Sequence, residues 1–152
     1  MIRACALSSL VTLLFCCPEA FAERLVTPDM IVGDTIPAPL SDTVSSAEVG
    51  KTVFVDRDQG HCVLCHKIDG LDAEFQGNIG PDLSTVGDRL SPAQIRFRLV
   101  DLQSLMPDTV MPTYYRLHDL NQVQAQFQGQ TILNAEQIEH LVAYLSSRKQ
   151  EE

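Results

Sequence analysis

The sequence predicts an all-α fold of short helices joined by long loops. Three observations carry this. Apolar residues recur at helical spacing in three segments, each opening on residues that cap helices. Strand signals are weak and there is no internal repeat. The connecting stretches, notably 77–81, 107–112 and 121–130, are rich in Gly, Pro, Asp and Asn. With 152 residues, 45% apolar and 20% charged, the composition is that of an ordinary globular chain, so one domain is expected.

Met1-Ile2-Arg3 is a short cationic start, and the apolar run from Ala4 to Cys17 is too short to span a bilayer comfortably. Ala20-Phe21-Ala22 then gives a small-x-small cleavage site, so residues 1–22 read as a secretory signal with Glu23 as the mature start. A lipoprotein reading at Leu14-Phe15-Cys16-Cys17 is the weaker alternative, because the residue before the modified cysteine should be small and Cys16 fits poorly. The expected product is exported and soluble, most naturally in a bacterial periplasm. Cys5, Cys16 and Cys17 leave with the signal, and only Cys62 and Cys65 stay. Two cysteines three positions apart close too small a loop to staple a domain. They are there for chemistry.

The processed chain has ten basic and nineteen acidic residues, a net charge of -9. An acidic surface repels phosphate backbones, so nucleic acid is excluded as a natural partner; solubility explains the charge, with steering toward a cationic partner as the sharper alternative.

Residues 23–45 contain Pro28, Pro37 and Pro39, scattered acids and no helical period, which predicts an extended arm with little apolar surface of its own. The first helix starts near Ser45-Ser46-Ala47-Glu48, where serine and glutamate three apart form a capping box, and Val49, Val53 and Phe54 follow on one side. Gly60 ends or bends its exit. Ser91-Pro92-Ala93-Gln94 announces the second helix with a serine cap, proline at the first helical position and glutamine three after the cap. Ile95, Leu99 and Leu102 recur along it, and it stops before Met106-Pro107. Asn134 to Gln137 caps the third helix, whose Ile138, Leu141, Val142 and Leu145 form an apolar stripe closed by Arg148 and Lys149. Three or four such helices make a poor core alone. Something must fill the middle.

Gly60-His61-Cys62-Val63-Leu64-Cys65-His66 contains Cys-x-x-Cys-His, the attachment signature of c-type haem. Two thiols one turn apart each add to one porphyrin vinyl group, and the histidine that follows is directed at the iron. A thioredoxin-like dithiol would need a βαβ context, which is absent. A four-ligand zinc site would need a second close pair, whereas His118 and His140 are isolated. One covalent haem on Cys62 and Cys65, with His66 as axial ligand, is therefore expected. His61 reads as an ordinary exposed histidine; His118 and His140 read as plain surface or helix residues, although either could complete a bis-histidine site. A methionine opposite the histidine would raise the reduction potential. Met30 lies in the arm, while Met106 and Met111 each precede proline in a loop between helices. A methionine in such a loop is a poorer core filler than a residue on a capped helix.

With Cys-x-x-Cys-His, Ile79-Gly80-Pro81-Asp82-Leu83, Val110-Met111-Pro112 and Leu141-Val142-Ala143-Tyr144-Leu145 in order, the chain resembles class I cytochromes c over residues 46–149, with 150–152 as a C-terminal tail. The resemblance implies the class I cytochrome c fold, short helices and loops wrapped around one covalent haem. It also implies that the Pro81 carbonyl accepts the second ring proton of His66, and that Gly50 and Phe54 meet Leu141 and Tyr144 where the first and last helices cross.

A narrower resemblance rests on Gly77-Asn78-Ile79-Gly80-Pro81-Asp82-Leu83, Val86-Gly87-Asp88-Arg89-Leu90-Ser91, Val110-Met111-Pro112-Thr113-Tyr114-Tyr115-Arg116 and the stretch from Thr131 to Leu145. These are similar to the SoxX family, the monohaem subunits of SoxAX cytochromes. That resemblance implies Met111 rather than Met106 as sixth ligand, a SoxA-type c-type cytochrome as partner, the SoxYZ carrier as the protein to which thiosulfate is joined, and a small acceptor cytochrome as electron sink. The bond-forming site then belongs to the partner, so no catalytic residue is expected here. Residues 117–130, rich in glutamine, match least. The competing readings are a freely diffusing carrier, a haem subunit of another periplasmic oxidoreductase, and a sensing haem protein with an open sixth position.

Overall fold

The computed structural model describes residues 25–150. The signal segment, its cleavage site and the cysteines before it lie outside the described residues. Four α-helices are present among them: α1 (Ala47–Val55), α2 (Val86–Arg89), α3 (Pro92–Asp101) and α4 (Ala135–Ser146). Single 3-10 turns stand at Pro28–Met30, Cys62–Leu64, Leu102–Ser104 and Ala125–Phe127, and the described residues hold no strand beyond one isolated bridge, Val32 to Thr35. Among the described residues no helix is long and apolar enough to cross a membrane.

The sequence signals at α3 and α4 correspond to complete capping boxes. Ser91 and Gln94 cap α3, Asn134 and Gln137 cap α4, each pair satisfying two amide donors that a helix start leaves open. At α1 the cap is Ser46 instead of Ser45, one residue later than expected, with its hydroxyl accepting from the Val49 amide. That register turns Val49 outward, 44% exposed, and gives the buried face to Gly50, Val53 and Phe54.

Why Gly50 belongs on that face follows from the crossing of α1 and α4. A Cβ built there would stand 2.0 Å from the His140 carbonyl oxygen and 2.8 Å from Tyr144 Cβ, so only hydrogen lets the backbones meet. One turn on, Phe54 packs edge-on against Tyr144 with ring centroids 5.7 Å apart. Ile138, Leu141, Val142 and Leu145 of α4 are buried as their spacing predicts.

The arm is extended but not free, which corrects the expectation that it has little of its own to bury. Ile36 is fully buried in the core, and its amide donates to the Ala93 carbonyl at 3.1 Å. Beneath it, Arg96 of α3 and Glu139 of α4 form a buried two-point ion pair at 2.7 and 2.8 Å. Both partners also hold the arm: Arg96 donates to the Ile36 carbonyl at 2.8 Å, and Glu139 accepts from the Leu40 amide at 2.9 Å. Each partner thus also bonds backbone, which offsets part of the cost of burying the pair.

Candidate functional site

The chain leaves α1 through a reversal. The Gly60 amide donates to the Val53 carbonyl and the His61 amide to the Asp56 carbonyl, and His61 adopts the left-handed conformation with φ 45°. Histidine is among the few non-glycine residues that enter this region with any frequency. His61 is half-buried there, not exposed as expected.

The turn that follows gathers the expected attachment residues. The Cys65 and His66 amides both donate to the Cys62 carbonyl, at 3.1 and 2.9 Å, so the two thiols and the imidazole stand on one turn of chain. Cys62 is 8% exposed, Cys65 is half-buried, and neither is in a disulfide. Burial pushes the Cys62 thiol up to about 12. Reactive dithiols present a partly exposed, stabilised thiolate, so the burial of Cys62 opposes a thioredoxin-like role.

His66 is oriented by the loop that runs past it. Its Nδ1 lies 2.8 Å from the Pro81 carbonyl oxygen. A carbonyl only accepts, so Nδ1 carries the proton and Nε2 is the ring nitrogen left for a metal. Loop 81–84 is registered against 67–69: the Leu83 amide donates to the Lys67 carbonyl, the Asp69 amide to Ser84 Oγ, both at 2.8 Å. Lys67 pairs with Asp69 at 2.6 Å and reaches Asp82 at 3.7 Å, but these exposed contacts add little. Hydrogen bonds from Ser84, with Lys67 as the lesser cause, hold the Asp82 carboxyl below the usual carboxylate range.

Gly80 completes the cradle. A Cβ there would lie 2.3 Å from His66 Cε1, 2.6 Å from Nδ1 and 2.8 Å from Nε2. The Gly80 amide donates to the Cys65 carbonyl at 2.9 Å, so the backbone is tied to the same turn it shelters. The donor set therefore fits haem c: two thiols, an imidazole with one nitrogen engaged, and a glycine that leaves the ring room.

The methionines separate by environment. Met106 is 57% exposed in the turn closed by the Thr109 amide on its carbonyl, whereas Met111 is half-buried and packed against the hydrophobic core, its amide donating to Thr109 Oγ1 at 3.2 Å. Met30 lies in the 3-10 turn of the arm. His118 is exposed. His140 is half-buried, and its Nδ1 accepts from the Ser46 amide at 2.9 Å, so it helps seat α1 on α4. Tyr114 had no sequence signal of its own; it is buried beside the cysteine turn, its hydroxyl donating to the Gly60 carbonyl at 3.1 Å.

The family model for cytochrome c matches residues 47–149. No curated protein matches the sequence. Among solved structures, a chain of the SoxXA crystal structure from P. pantotrophus is 31% identical, with a TM-score of 0.73; the match covers 84% of this chain and 100% of that one. The turn that bears two cysteines and a histidine, the carbonyl on the far ring nitrogen and the crossing of first and last helices are thus set in an all-α class I cytochrome c fold. The chain belongs to the cytochrome c family, as a SoxX-type monohaem electron-transfer cytochrome that carries covalent haem c.

Proposed function

We propose that this chain is the electron-transfer subunit of a periplasmic thiosulfate-oxidising complex, an L-cysteine S-thiosulfotransferase of the SoxAX kind. Cys62 and Cys65 would attach the haem, His66 and Met111 would ligate its iron, a SoxA-type cytochrome would be its partner, and electrons would pass to a small acceptor cytochrome. The observation that carries this reading is the likeness to SoxXA over 84% of the chain. Bound haem c supplies one-electron exchange at iron. The chain's own residues do the rest. Cys62 and Cys65 supply the tether, and the Pro81 carbonyl raises the basicity of His66 by accepting its Nδ1 proton. The Met111 thioether as a second protein ligand would favour the reduced state, because a soft neutral ligand stabilises ferrous over ferric iron. Once both cysteines are attached, no thiol in residues 23–152 is left to take a sulfur intermediate covalently, so coupling of thiosulfate to the SoxYZ carrier falls to the partner subunit.

Replacing Met111 with alanine is expected to abolish the weak thioether band at the red edge of the ferric visible spectrum and to lower the reduction potential. Met106→Ala is expected to keep both. The reverse pattern would exchange the two assignments.

Gentle purification from the native periplasm should bring down a second haem protein, with thiosulfate-dependent reduction of an acceptor only when both are present. An isolated monomer, fully active as a carrier and dispensable for thiosulfate oxidation, would leave the diffusing carrier as the better account.

A further inference from the structure

Between the 3-10 turn Leu102–Ser104 and Tyr114 the chain runs as an exposed loop, and Met111 is near its end. Within the loop the bonds are local ones, from the Thr109 amide to the Met106 carbonyl and from the Met111 amide to Thr109 Oγ1. Its position is therefore set by the Met106 amide on the Leu102 carbonyl at one end, by Met111 packing on the core, and by its anchor at residues 113–116. Thr113, Tyr114 and Tyr115 are all buried, and Arg116 donates from one nitrogen to both Asp101 carboxylate oxygens at 2.8 and 2.9 Å. The Tyr114 amide donates to the Leu99 carbonyl at 3.2 Å, and its carbonyl accepts from the Leu133 amide at 3.1 Å. These contacts tie the anchor to α3 and to the approach to α4. They do not tie it to the cysteine turn.

That link is made by the Tyr114 side chain. The residue is 7% exposed, and its hydroxyl donates to the carbonyl of Gly60, two residues before Cys62. A buried hydroxyl is costly unless bonded, so phenylalanine would fill the same space more cheaply if space were all that mattered. We infer that Tyr114 is a positioning residue: through its bond to Gly60 it fixes the Met111 loop against the turn of Cys62, Cys65 and His66, and so holds Met111 against displacement by other ligands. The inference rests on Met111 as sixth ligand, as proposed above.

The test compares three haem-loaded full chains: the unmodified protein, Tyr114→Phe, and Val142→Ala, a core truncation on α4 outside the loop and its anchor. Each is titrated with imidazole in the ferric state, following the thioether band, and each is unfolded in urea. Loss of one buried hydrogen bond should raise imidazole affinity about three- to tenfold in Tyr114→Phe. Val142→Ala should lower the unfolding midpoint and leave imidazole affinity unchanged. If Tyr114→Phe binds imidazole as the unmodified protein does, or if both variants gain affinity in proportion to lost stability, Tyr114 is packing and the inference fails by itself. Absence of the band from the unmodified protein would overturn Met111 as ligand, and the inference with it.

Discussion

Replacing Glu139 with alanine is expected to destabilise the haem-loaded protein by about 3–5 kcal/mol, the range for removing one partner of a buried ion pair. The cause is what remains. Arg96 keeps its charge in a buried place with its Nε and one Nη donor emptied, and the Leu40 amide loses its acceptor. Against a total stability of roughly 5–15 kcal/mol for a domain, a loss of this size removes much of the margin. Because Glu139 and Arg96 hold the arm at Leu40 and Ile36, the segment 25–45 should also become the first site of limited proteolysis. Replacing both charges, Arg96→Met with Glu139→Leu, should recover in urea unfolding the part of the loss that comes from the stranded charge but not the part from the Leu40 amide and Ile36 carbonyl, which stay without these partners. A loss below about 1 kcal/mol in Glu139→Ala would mean that the pair is not anchoring the arm.

The second large effect is expected at Gly80. Alanine is the smallest possible side chain, yet its Cβ would overlap the His66 imidazole at 2.3 Å. Withdrawal of the backbone is opposed by the Gly80 amide bond to Cys65 and by the next residue, Pro81, whose carbonyl holds His66 Nδ1. The ring must therefore rotate or leave. Gly80→Ala should disturb or abolish the native haem spectrum, with an overpacking cost of about 1–3 kcal/mol. Gly70 supplies the contrast. Its φ is +73° and nothing lies within 4 Å of a built Cβ, so Gly70→Ala should cost stability through backbone strain and leave the spectrum unchanged. Equal spectra in both variants would mean that His66 is not seated by Gly80.

The parts of this protein that could be read in advance are those encoded by near neighbours. Ser91 with Gln94 and Asn134 with Gln137 stand three residues apart and cap helices from any sequence context, and Cys62, Cys65 and His66 occupy one turn. Where two serines compete, as at Ser45 and Ser46, local pattern does not decide, and the packing of Gly50 on α4 does. What no local pattern holds is pairing at a distance. Glu139 lies 43 residues from Arg96 and 99 from Leu40, and Tyr114 is 54 from Gly60, so each looks like an isolated acid or aromatic until the chain is folded. The same holds for the arm: its one buried residue among those described, Ile36, stands among prolines and acids, and the side chains that hold the arm lie 60 residues and more away.

The burial of Cys62 also sets an order of events. A thiol only 8% exposed, closed in by Tyr114 and the chain after α1, is a poor target in a folded chain. With Cys62 as an attachment point, maturation has to act on an open polypeptide. Folding and loading are then rivals in time, and the contacts that make the finished protein durable, the Arg96–Glu139 pair above all, would hinder its assembly if they formed first. A variant that folds more readily without haem should be loaded less completely in the cell, so that yield of holoprotein and stability of the empty chain run in opposite directions.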